Sequence, residues 1–505
     1  MSLAKKAFRG FTLNTASRLT EFGLTFAITI ILTRSLGPDL FGKYAVVMTF
    51  CGLFALLANL GFEETLNALI PKNSGDKIKQ SSLFTSLLSF RITILTVIAG
   101  LAFLLSNPIS VVMNNPGLGD LIRLAIPFIF VANINALFIF LLTGLFRFGT
   151  LAFTKILSLI LQLIGISVVL ASGGGIVGVI VVLFAANSVL LLVYVFVGRN
   201  YINLRPRGVP VLPALSFGAA VWLTNLVNFA LGKQSDILLL GFFRVAEAQI
   251  GYYEIAFRSV NTINMLLISG FIGVTLASFA EASSKDETVL GDAWQLTVKA
   301  YGAIALPIIL FSIIHARAII VGVFSEDYGP AVILFQTYAS FMLFTKLLGG
   351  GNHITVLYAT GRQKTALAVR FAAGTVNVAL NLFLIPWLGA LGALVATGIS
   401  QLLVVVTELV VVKSTVIRAA FPVRFNVSLI SACLLGLLPG LVIRPSGLWG
   451  VAAAGVLYYV TITAVLYLLK PLSDRDRTLL SEINPLIGKF VGRFSAPRRV
   501  TNGRT

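Results

Sequence analysis

Residues 176–197 read Ile-Val-Gly-Val-Ile-Val-Val-Leu-Phe-Ala-Ala-Asn-Ser-Val-Leu-Leu-Leu-Val-Tyr-Val-Phe-Val and contain no charged side chain. A helix that crosses the hydrocarbon core of a bilayer needs about 20 consecutive and mostly apolar residues. In lipid, backbone N–H and C=O groups must also find partners within the protein, and a helix satisfies them within its own segment. The stretch therefore predicts a membrane-spanning helix.

The same pattern recurs along the chain, in which 57% of the 505 residues are hydrophobic and only 11% are charged. A soluble domain has about 25% charged residues, whereas a surface that faces lipid needs few. Fourteen apolar segments predict an all-α integral membrane protein with about 14 transmembrane helices. The segments are residues 11–33, 44–60, 83–105, 121–145, 151–170, 176–197, 217–242, 252–280, 296–321, 332–359, 366–385, 388–412, 427–442 and 448–469.

The loops between these segments differ in charge on the two sides of the membrane. With the N-terminus in the cytoplasm, the cytoplasmic segments hold 24 Lys and Arg residues, and the opposite side holds seven, four in its loops and three in the adjoining spans. Cytoplasmic loops of membrane proteins carry an excess of these residues. We therefore predict that both termini are cytoplasmic.

The net charge of +19 raises the question of a nucleic-acid partner. The basic residues are spread over short loops and the C-terminal tail, without a clustered basic domain, so we expect no nucleic acid to bind. Cys51 and Cys433 each lie within an apolar run, and the sequence has no CxxC motif or Cys/His cluster, which argues against a metal site. In the tail after residue 470, apolar residues recur at helical spacing among basic ones. This pattern fits an interfacial helix, and a disordered basic tail stays open beside it.

Two similar turns indicate an internal repeat. Residues 34–44 follow the first segment and residues 244–253 follow the seventh, and in each turn Gly-x-Tyr opens the next helix. Six helices separate the turns, so both halves have one orientation, as in parallel repeats about the membrane normal. We predict a six-helix lobe over residues 1–200 and a second over 201–415, related by a pseudo-two-fold axis. Two further helices (416–470) and a basic tail (471–505) would follow.

The turns belong to an ordered set of motifs that resembles the polysaccharide transporter (Wzx-like oligosaccharide flippase) branch of the multidrug/oligosaccharidyl-lipid/polysaccharide exporter superfamily. The set begins with Leu32-Thr-Arg-Ser-Leu-Gly-Pro-Asp-Leu-Phe-Gly-Lys-Tyr-Ala45 and Ala58-Asn-Leu-Gly-Phe62. It continues with Asp236-Ile-Leu-Leu-Leu-Gly-Phe-Phe243, Gly251-Tyr-Tyr253, Phe324-Ser-Glu-Asp-Tyr-Gly-Pro-Ala331, Ala359-Thr-Gly-Arg362, Asn377, Asn381 and Ile385-Pro-Trp-Leu-Gly-Ala-Leu-Gly-Ala393. The last two predicted helices and the tail carry no such motif.

The resemblance implies a flippase in the cytoplasmic (inner) membrane of a bacterium. Such a protein moves a polyprenyl-pyrophosphate-linked oligosaccharide from the inner to the outer leaflet, for the synthesis of surface polysaccharides such as lipopolysaccharide or exopolysaccharide. The family fold has two six-helix lobes around a cavity that opens alternately to each side. The implied partners are the lipid-linked oligosaccharide, the bilayer, and a polysaccharide polymerase and glycosyltransferases of the same pathway. No organic cofactor is implied, and coupling to protons or sodium ions stays open.

Charged residues inside the predicted spans are the candidates for the site, because a charge at mid-membrane is costly and usually faces a cavity or a partner. Four cations lie deep in the spans and outnumber the acids that we count there, which suits an anionic passenger such as a pyrophosphate. The predicted substrate-binding residues are Arg18, Arg91, Arg258 and Lys346. Lys155 and Arg370 lie near helix ends and are expected to reach the surface.

Two acids are candidates for ion coupling. Glu21 lies three residues from Arg18 on one helix face, so it either neutralises Arg18 or binds a proton or sodium ion in competition with it. Asp236 is expected to pair with Lys233, and ion coupling is its other candidate role.

Three other classes of protein compete with the flippase. A membrane glycosyltransferase or polysaccharide polymerase would be expected to have a large outer loop with catalytic residues. The longest outer loop, residues 106–120, has one acid and no Lys, Arg or His, and no HExxH or Walker A motif occurs in the chain. We therefore predict that the protein is not an enzyme. A drug/cation antiporter of the same superfamily would be expected to have acidic residues within the membrane, whereas this chain has more deep cations. A non-transporting scaffold is disfavoured, because charges deep in the membrane destabilise a protein that does not need them for a site.

Overall fold

A computed structural model describes residues 3–203, 211–230, 232–268, 272–443, 447–483, 489 and 491–495. The side chains before Thr20 and those of several residues beside the gaps lie outside this description. The helices are α1 (Leu3–Asn59), α2 (Phe62–Lys72), α3 (Lys77–Val112), α4 (Leu118–Gly144), α5 (Phe148–Ala171), α6 (Gly175–Gly198), α7 (Val211–Ala230), α8 (Lys233–Phe242), α9 (Glu247–Ile268), α10 (Ile272–Lys285), α11 (Glu287–Ile314), α12 (Ala316–Val323), α13 (Ala331–Leu347), α14 (Asn352–Ala359), α15 (Gln363–Leu388), α16 (Ala390–Thr415), α17 (Val423–Gly436), α18 (Leu438–Ile443), α19 (Gly447–Leu469) and α20 (Asp474–Ile483). Short 3-10 turns are Arg199–Tyr201, Glu326–Tyr328 and Gly492–Phe494.

Within the described residues, ten helices are long and apolar enough to cross a membrane. The number is eleven when α13 and α14, which meet at a bend of 46°, form one broken span. The all-α membrane fold class is thereby confirmed, and the number of fourteen spans stays a prediction. The spans predicted at 217–242 and 252–280 each contain two helices, of which α8 and α10 have 10 and 14 residues. At 1.5 Å per residue, neither of those two alone reaches across about 30 Å of hydrocarbon.

The first two predicted spans are joined in α1, which changes direction at Gly37. Gly37 has φ 68° and ψ 174°, a conformation that glycine adopts readily because it lacks a Cβ. Pro38 follows at once, and its fixed φ restarts the helix. The predicted turn after the first segment is therefore present as a sharp break in an otherwise continuous helix.

An amphipathic helix, α2, lies in the segment after α1, where the sequence analysis predicts only a loop. Its buried residues are Phe62, Thr65, Leu66 and Ile70. The next helix, α3, begins after Asp76, whose carboxylate accepts a hydrogen bond from the Lys79 backbone N–H at 2.9 Å. This N-terminal cap lowers the pKa of Asp76.

The chain divides into two compact units, Met1–Tyr252 and Tyr253–Thr505. In the first, aromatic side chains fill the core, and Phe138 lies edge-on to Phe84 with ring centroids 5.0 Å apart. In the second, Trp294 is fully buried in one cluster and Tyr458 in another. The lobe boundaries at residues 200 and 415 stay a prediction.

The C-terminal tail is partly helical, and two ion pairs join it to α11. Lys299 of α11 places its ammonium 2.7 Å from both carboxylate oxygens of Asp476 in α20. Arg475 pairs with Asp292 beside it. Helix α20 covers the first part of the predicted tail helix, and the continuation through residues 484–488 lies outside the described residues.

Candidate functional site

In the first unit, Arg91 of α3 is fully buried and forms the centre of a polar cluster. Its guanidinium donates to the Ala58 carbonyl and, at 2.6 Å, to Oδ1 of Asn133. It also lies 3.5 Å from the Glu63 carboxylate, which is 20% exposed. A charge at this depth needs such partners, because isolating it from water costs several kcal/mol. The structure therefore places Arg91 among protein partners, and its predicted role in binding a substrate stays untested.

The motif Ala58-Asn-Leu-Gly-Phe62 builds this cluster. Ala58 supplies the carbonyl, and the ring of Phe62 lies under the Arg91 guanidinium with 5.4 Å from its carbon to the ring centroid. Gly61 has φ 87°, which turns the chain from α1 into α2. A Cβ on Gly61 would lie 2.5 Å from the Gly218 backbone of α7, so this turn also packs closely against that helix.

Neighbouring amides complete the cluster around a second acid, Glu64. One carboxylate oxygen of Glu64 accepts from Asn225 of α7 at 3.2 Å, and the other accepts from Asn59 at 3.4 Å. Trp222 of α7 donates from its indole N–H to the Leu56 carbonyl at 2.8 Å. The cluster includes four polar residues that were not among the site residues predicted from the sequence, namely Asn59, Glu63, Glu64 and Asn225.

The other candidates in the first unit are Arg18, Glu21 and Asp236. The Glu21 carboxylate lies 2.5 Å from the ammonium of Lys155 in α5. The structure thus provides a partner that the sequence analysis set aside, while the side chain of Arg18 lies outside the described residues. Asp236 is fully buried in the first turn of α8. The ion-coupling roles of Glu21 and Asp236 stay predictions.

In the second unit, Lys346 lies in the last turn of α13 and is only 7% exposed. Its ammonium sits 5.1 Å from the centroid of the Tyr301 ring of α11. A cation over an aromatic face gains about 2 kcal/mol or more when desolvated, which is less than the cost of burying the charge. No carboxylate in the described part of the chain lies within ion-pair distance of Lys346.

Glycines with positive φ form the helix break beside Lys346. Gly349 and Gly351 have φ 79° and 102°, and the N–H of Gly349 caps the Lys346 carbonyl at 2.9 Å. His353 of α14 contacts the Leu348 carbonyl through Nε2 at 2.8 Å and accepts from the Trp294 indole at Nδ1. A Cβ on Gly350 would lie 2.8 Å from Val405 of α16. The glycines therefore permit close packing, and the break leaves Lys346 at a helix end.

Arg258 of α9 is the other predicted cation of the second unit, and it has an acidic partner. Its guanidinium lies 2.8 Å from Glu254, whose side chain is 3% exposed, while Arg258 itself is 39% exposed. Phe257 stacks on Tyr338 of α13 with centroids 5.2 Å apart, which ties α9 to α13. Lys346 lies eight residues beyond Tyr338, about 12 Å along the helix. No described contact joins Arg258 to Lys346.

Two buried acids were missed, and they correct the expected excess of deep cations. Glu254 lies within the predicted span 252–280 and Glu408 within 388–412, and they are 3% and 1% exposed. Glu408 lies 3.7 Å from Arg370, and its Oε1 has no hydrogen-bond partner among the described residues. The signal was present, because an acid inside an apolar run is as costly as a base. Most deep cations are therefore paired with acids, and Lys346 is the exception among the described side chains.

Comparison with known proteins places this arrangement in a family. A profile of the family described as "Polysaccharide biosynthesis protein" matches residues 31–333, which is more than half of the chain. The chain belongs to this family. An uncharacterised membrane protein of Methanocaldococcus jannaschii is 22% identical to this chain over 436 residues, which cover 79% of this chain and 82% of the relative. The match to the family profile confirms the resemblance to the polysaccharide branch of the superfamily that the ordered motifs indicate.

Solved structures share the fold. The lipid II flippase MurJ in an inward closed conformation superposes with a TM-score of 0.71 at 16% identity, covering 91% of this chain and 99% of that one. An inward-facing multidrug resistance MATE family transporter of the MOP superfamily gives a TM-score of 0.65 at 16% identity, covering 79% and 94%. The protein is thus a multi-pass membrane protein with the fold that these two structures share. The structures that it resembles are those of flippases and transporters.

Proposed function

We propose that this protein is a flippase that moves an oligosaccharide on a polyprenyl pyrophosphate carrier from the inner to the outer leaflet of the cytoplasmic membrane. The observation that carries the proposal is Lys346, a buried cation without a carboxylate partner among the described residues. Membership of the polysaccharide biosynthesis family supports the choice of a glycan cargo. In the proposed orientation both termini are cytoplasmic, and the polymerase and glycosyltransferases of the pathway act on either side of the transport step.

Binding of an anionic head group would explain why Lys346 is buried although its burial destabilises the fold. A buried charge without an ionic partner destabilises the fold, and binding sites are where proteins retain such destabilising groups. A pyrophosphate that enters the site offers several acceptor oxygens to the ammonium. Arg258, which is partly exposed, would serve the cargo at a second position on α9.

The test measures transport and stability on the same variants. Lys346→Met removes the charge and keeps a long unbranched side chain, whereas Lys346→Arg keeps the charge. In liposomes that contain a lipid-linked oligosaccharide, we expect Lys346→Met to slow translocation at least tenfold, because a charge-assisted hydrogen bond contributes about 1.5–3 kcal/mol. Its melting temperature should be equal to or above that of the wild type, because an unpaired buried charge is removed. Lys346→Arg should retain part of the activity.

The matched control is Lys285→Met, at an exposed lysine that pairs with Glu281 on the surface. It should transport at the wild-type rate. Wild-type transport by a folded Lys346→Met protein would contradict the proposal. Release of free carrier or of new polymer from the supplied lipid would instead indicate an enzyme.

A drug/cation antiporter is the second candidate, and Glu408 favours it. The Glu408 carboxylate is 1% exposed, and in the described part of the chain its ion-pair partner is Arg370 at 3.7 Å. A buried carboxylate of this kind is suited to a cationic passenger or a proton. Efflux of a cationic dye that is driven by a proton or sodium gradient and lost in Glu408→Gln would support this candidate. Loss of lipid-linked oligosaccharide transport in Lys346→Met, with no dye efflux by the wild type, would exclude it.

A further inference from the structure

An apolar groove of about 1090 Å³ runs along α19 and is lined by residues of this helix and by Arg493 and Phe494 of the tail. Its wall includes Val456, Val460 and Leu468, which are 65%, 61% and 76% exposed. This helix is long and apolar enough to cross a membrane, and a groove along such a span would face lipid rather than water. At one end, the groove is bordered by a cation, Arg493.

The folded tail fixes the position of Arg493. The Leu472 N–H donates to the Phe494 carbonyl at 3.3 Å, and Leu472 forms a parallel bridge with Ser495. The ring of Phe494 lies edge-on to Tyr467 of α19 with centroids 6.2 Å apart. Arg493 is therefore held beside the last turns of the span, where the helix leaves the membrane.

We propose that this groove binds one anionic phospholipid, with its phosphate on Arg493 and an acyl chain along α19. The two ends of the groove match the two parts of such a molecule, because a guanidinium recognises phosphate oxygens and an apolar face of a span accepts hydrocarbon. Among the described residues that line the groove, Arg493 supplies the cation, and one guanidinium suits the single phosphate of a phospholipid. The site is separate from Lys346, so it does not depend on the cargo.

Native mass spectrometry of the full chain in detergent tests this proposal with phosphatidylglycerol and phosphatidylcholine of the same acyl chains. The wild type should retain phosphatidylglycerol in preference to phosphatidylcholine. Arg493→Gln should weaken phosphatidylglycerol binding about fivefold, the effect expected for one basic residue at an anionic surface. The matched control is Lys489→Gln, which removes an exposed charge from the same tail outside the groove and should change binding less than twofold. Ala464→Phe fills the groove with Arg493 in place and should also lower binding.

Three results would overturn the proposal. Equal losses in Arg493→Gln and Lys489→Gln would mean that diffuse tail charge, not a site, holds the lipid. Unchanged binding in Ala464→Phe would show that the acyl chain does not lie on α19. Displacement of phosphatidylglycerol by an equal amount of polyprenyl pyrophosphate would assign the groove to a polyprenyl lipid instead.

Discussion

Gly42 and Gly251, the glycines of the two Gly-x-Tyr turns, pack backbone against backbone. A Cβ on Gly42 would lie 1.9 Å from the Glu247 carbonyl oxygen and 2.9 Å from the Gly251 nitrogen. A Cβ on Gly251 would lie 2.3 Å from the Pro38 carbonyl oxygen. The two turns that look like a repeat in the sequence are thus in contact, and each needs glycine because the other backbone is so near.

Gly42→Ala is expected to destabilise the protein by about 1–3 kcal/mol, because its methyl group must displace packed backbone. The control is Gly23→Ala in the same helix, where nothing lies within 4 Å of the added Cβ. That substitution should be neutral or stabilise by up to about 1 kcal/mol through helix propensity. Thermal unfolding in one detergent compares the two. Equal melting temperatures would mean that the glycine contact does not form in solution.

Beside the glycines, Lys43 lies 3.6 Å from Glu247 and donates to the Pro116 carbonyl at 2.7 Å. We expect Lys43→Glu to lower the melting temperature more than Glu247→Lys, because only the first loses both contacts. The double exchange should recover the ion pair but not the bond to Pro116. A double-mutant cycle measures this, with a coupling of up to about 1 kcal/mol for a partly exposed pair. Full recovery in the double variant would contradict a role for Pro116.

Much of the fold follows from hydropathy, because lipid requires long apolar helices and the chain has few other options. The breaks are harder to predict. The turn at Gly37 and the bend at Gly349–Gly351 have clear glycine signals, whereas α2 was missed because an 11-residue amphipathic helix has neither the length nor the apolarity of a span. The division of one predicted span into α7 and α8 is likewise invisible to a hydropathy window, which averages over short interruptions.

The candidate site was predictable as a set of residue types but not as a set of pairs. The spans predicted from the sequence contain Arg91, Arg258 and Lys346. In the structure, Arg91 and Lys346 are buried and Arg258 is paired with an acid. Partners lie far away in sequence, as Asn133 does from Arg91, and periodicity carries no information on such pairs. Glu254 and Glu408 were missed for a different reason. Each is an acid within an apolar run, so the local sequence alone was sufficient to identify them.

The buried ion pair of Lys299 and Asp476 is expected to hold the tail on α11. Removing one partner leaves a buried charge, so Asp476→Asn and Lys299→Met should each destabilise by about 3 kcal/mol. The double variant should lose less than the sum, because no lone charge is left behind. The exposed pair of Lys285 and Glu281 is the control, and its loss should cost less than about 1 kcal/mol. Additive losses in the unfolding cycle would mean that the tail is not docked through this pair.

Arg91 is expected to act through the fold rather than on the cargo. Arg91→Lys keeps the charge, but one ammonium cannot replace a planar guanidinium that reaches the Ala58 carbonyl, Asn133 and Glu63 together. Buried acceptors are then left without donors, which costs about 2–3 kcal/mol. Asn133→Ala removes a single partner and should cost less. Translocation per folded molecule should stay within about twofold of the wild type in both variants, in contrast to Lys346→Met, which should fold well and transport poorly. An Arg91→Lys protein with an unchanged melting temperature and no transport would reverse this assignment and place Arg91 on the cargo.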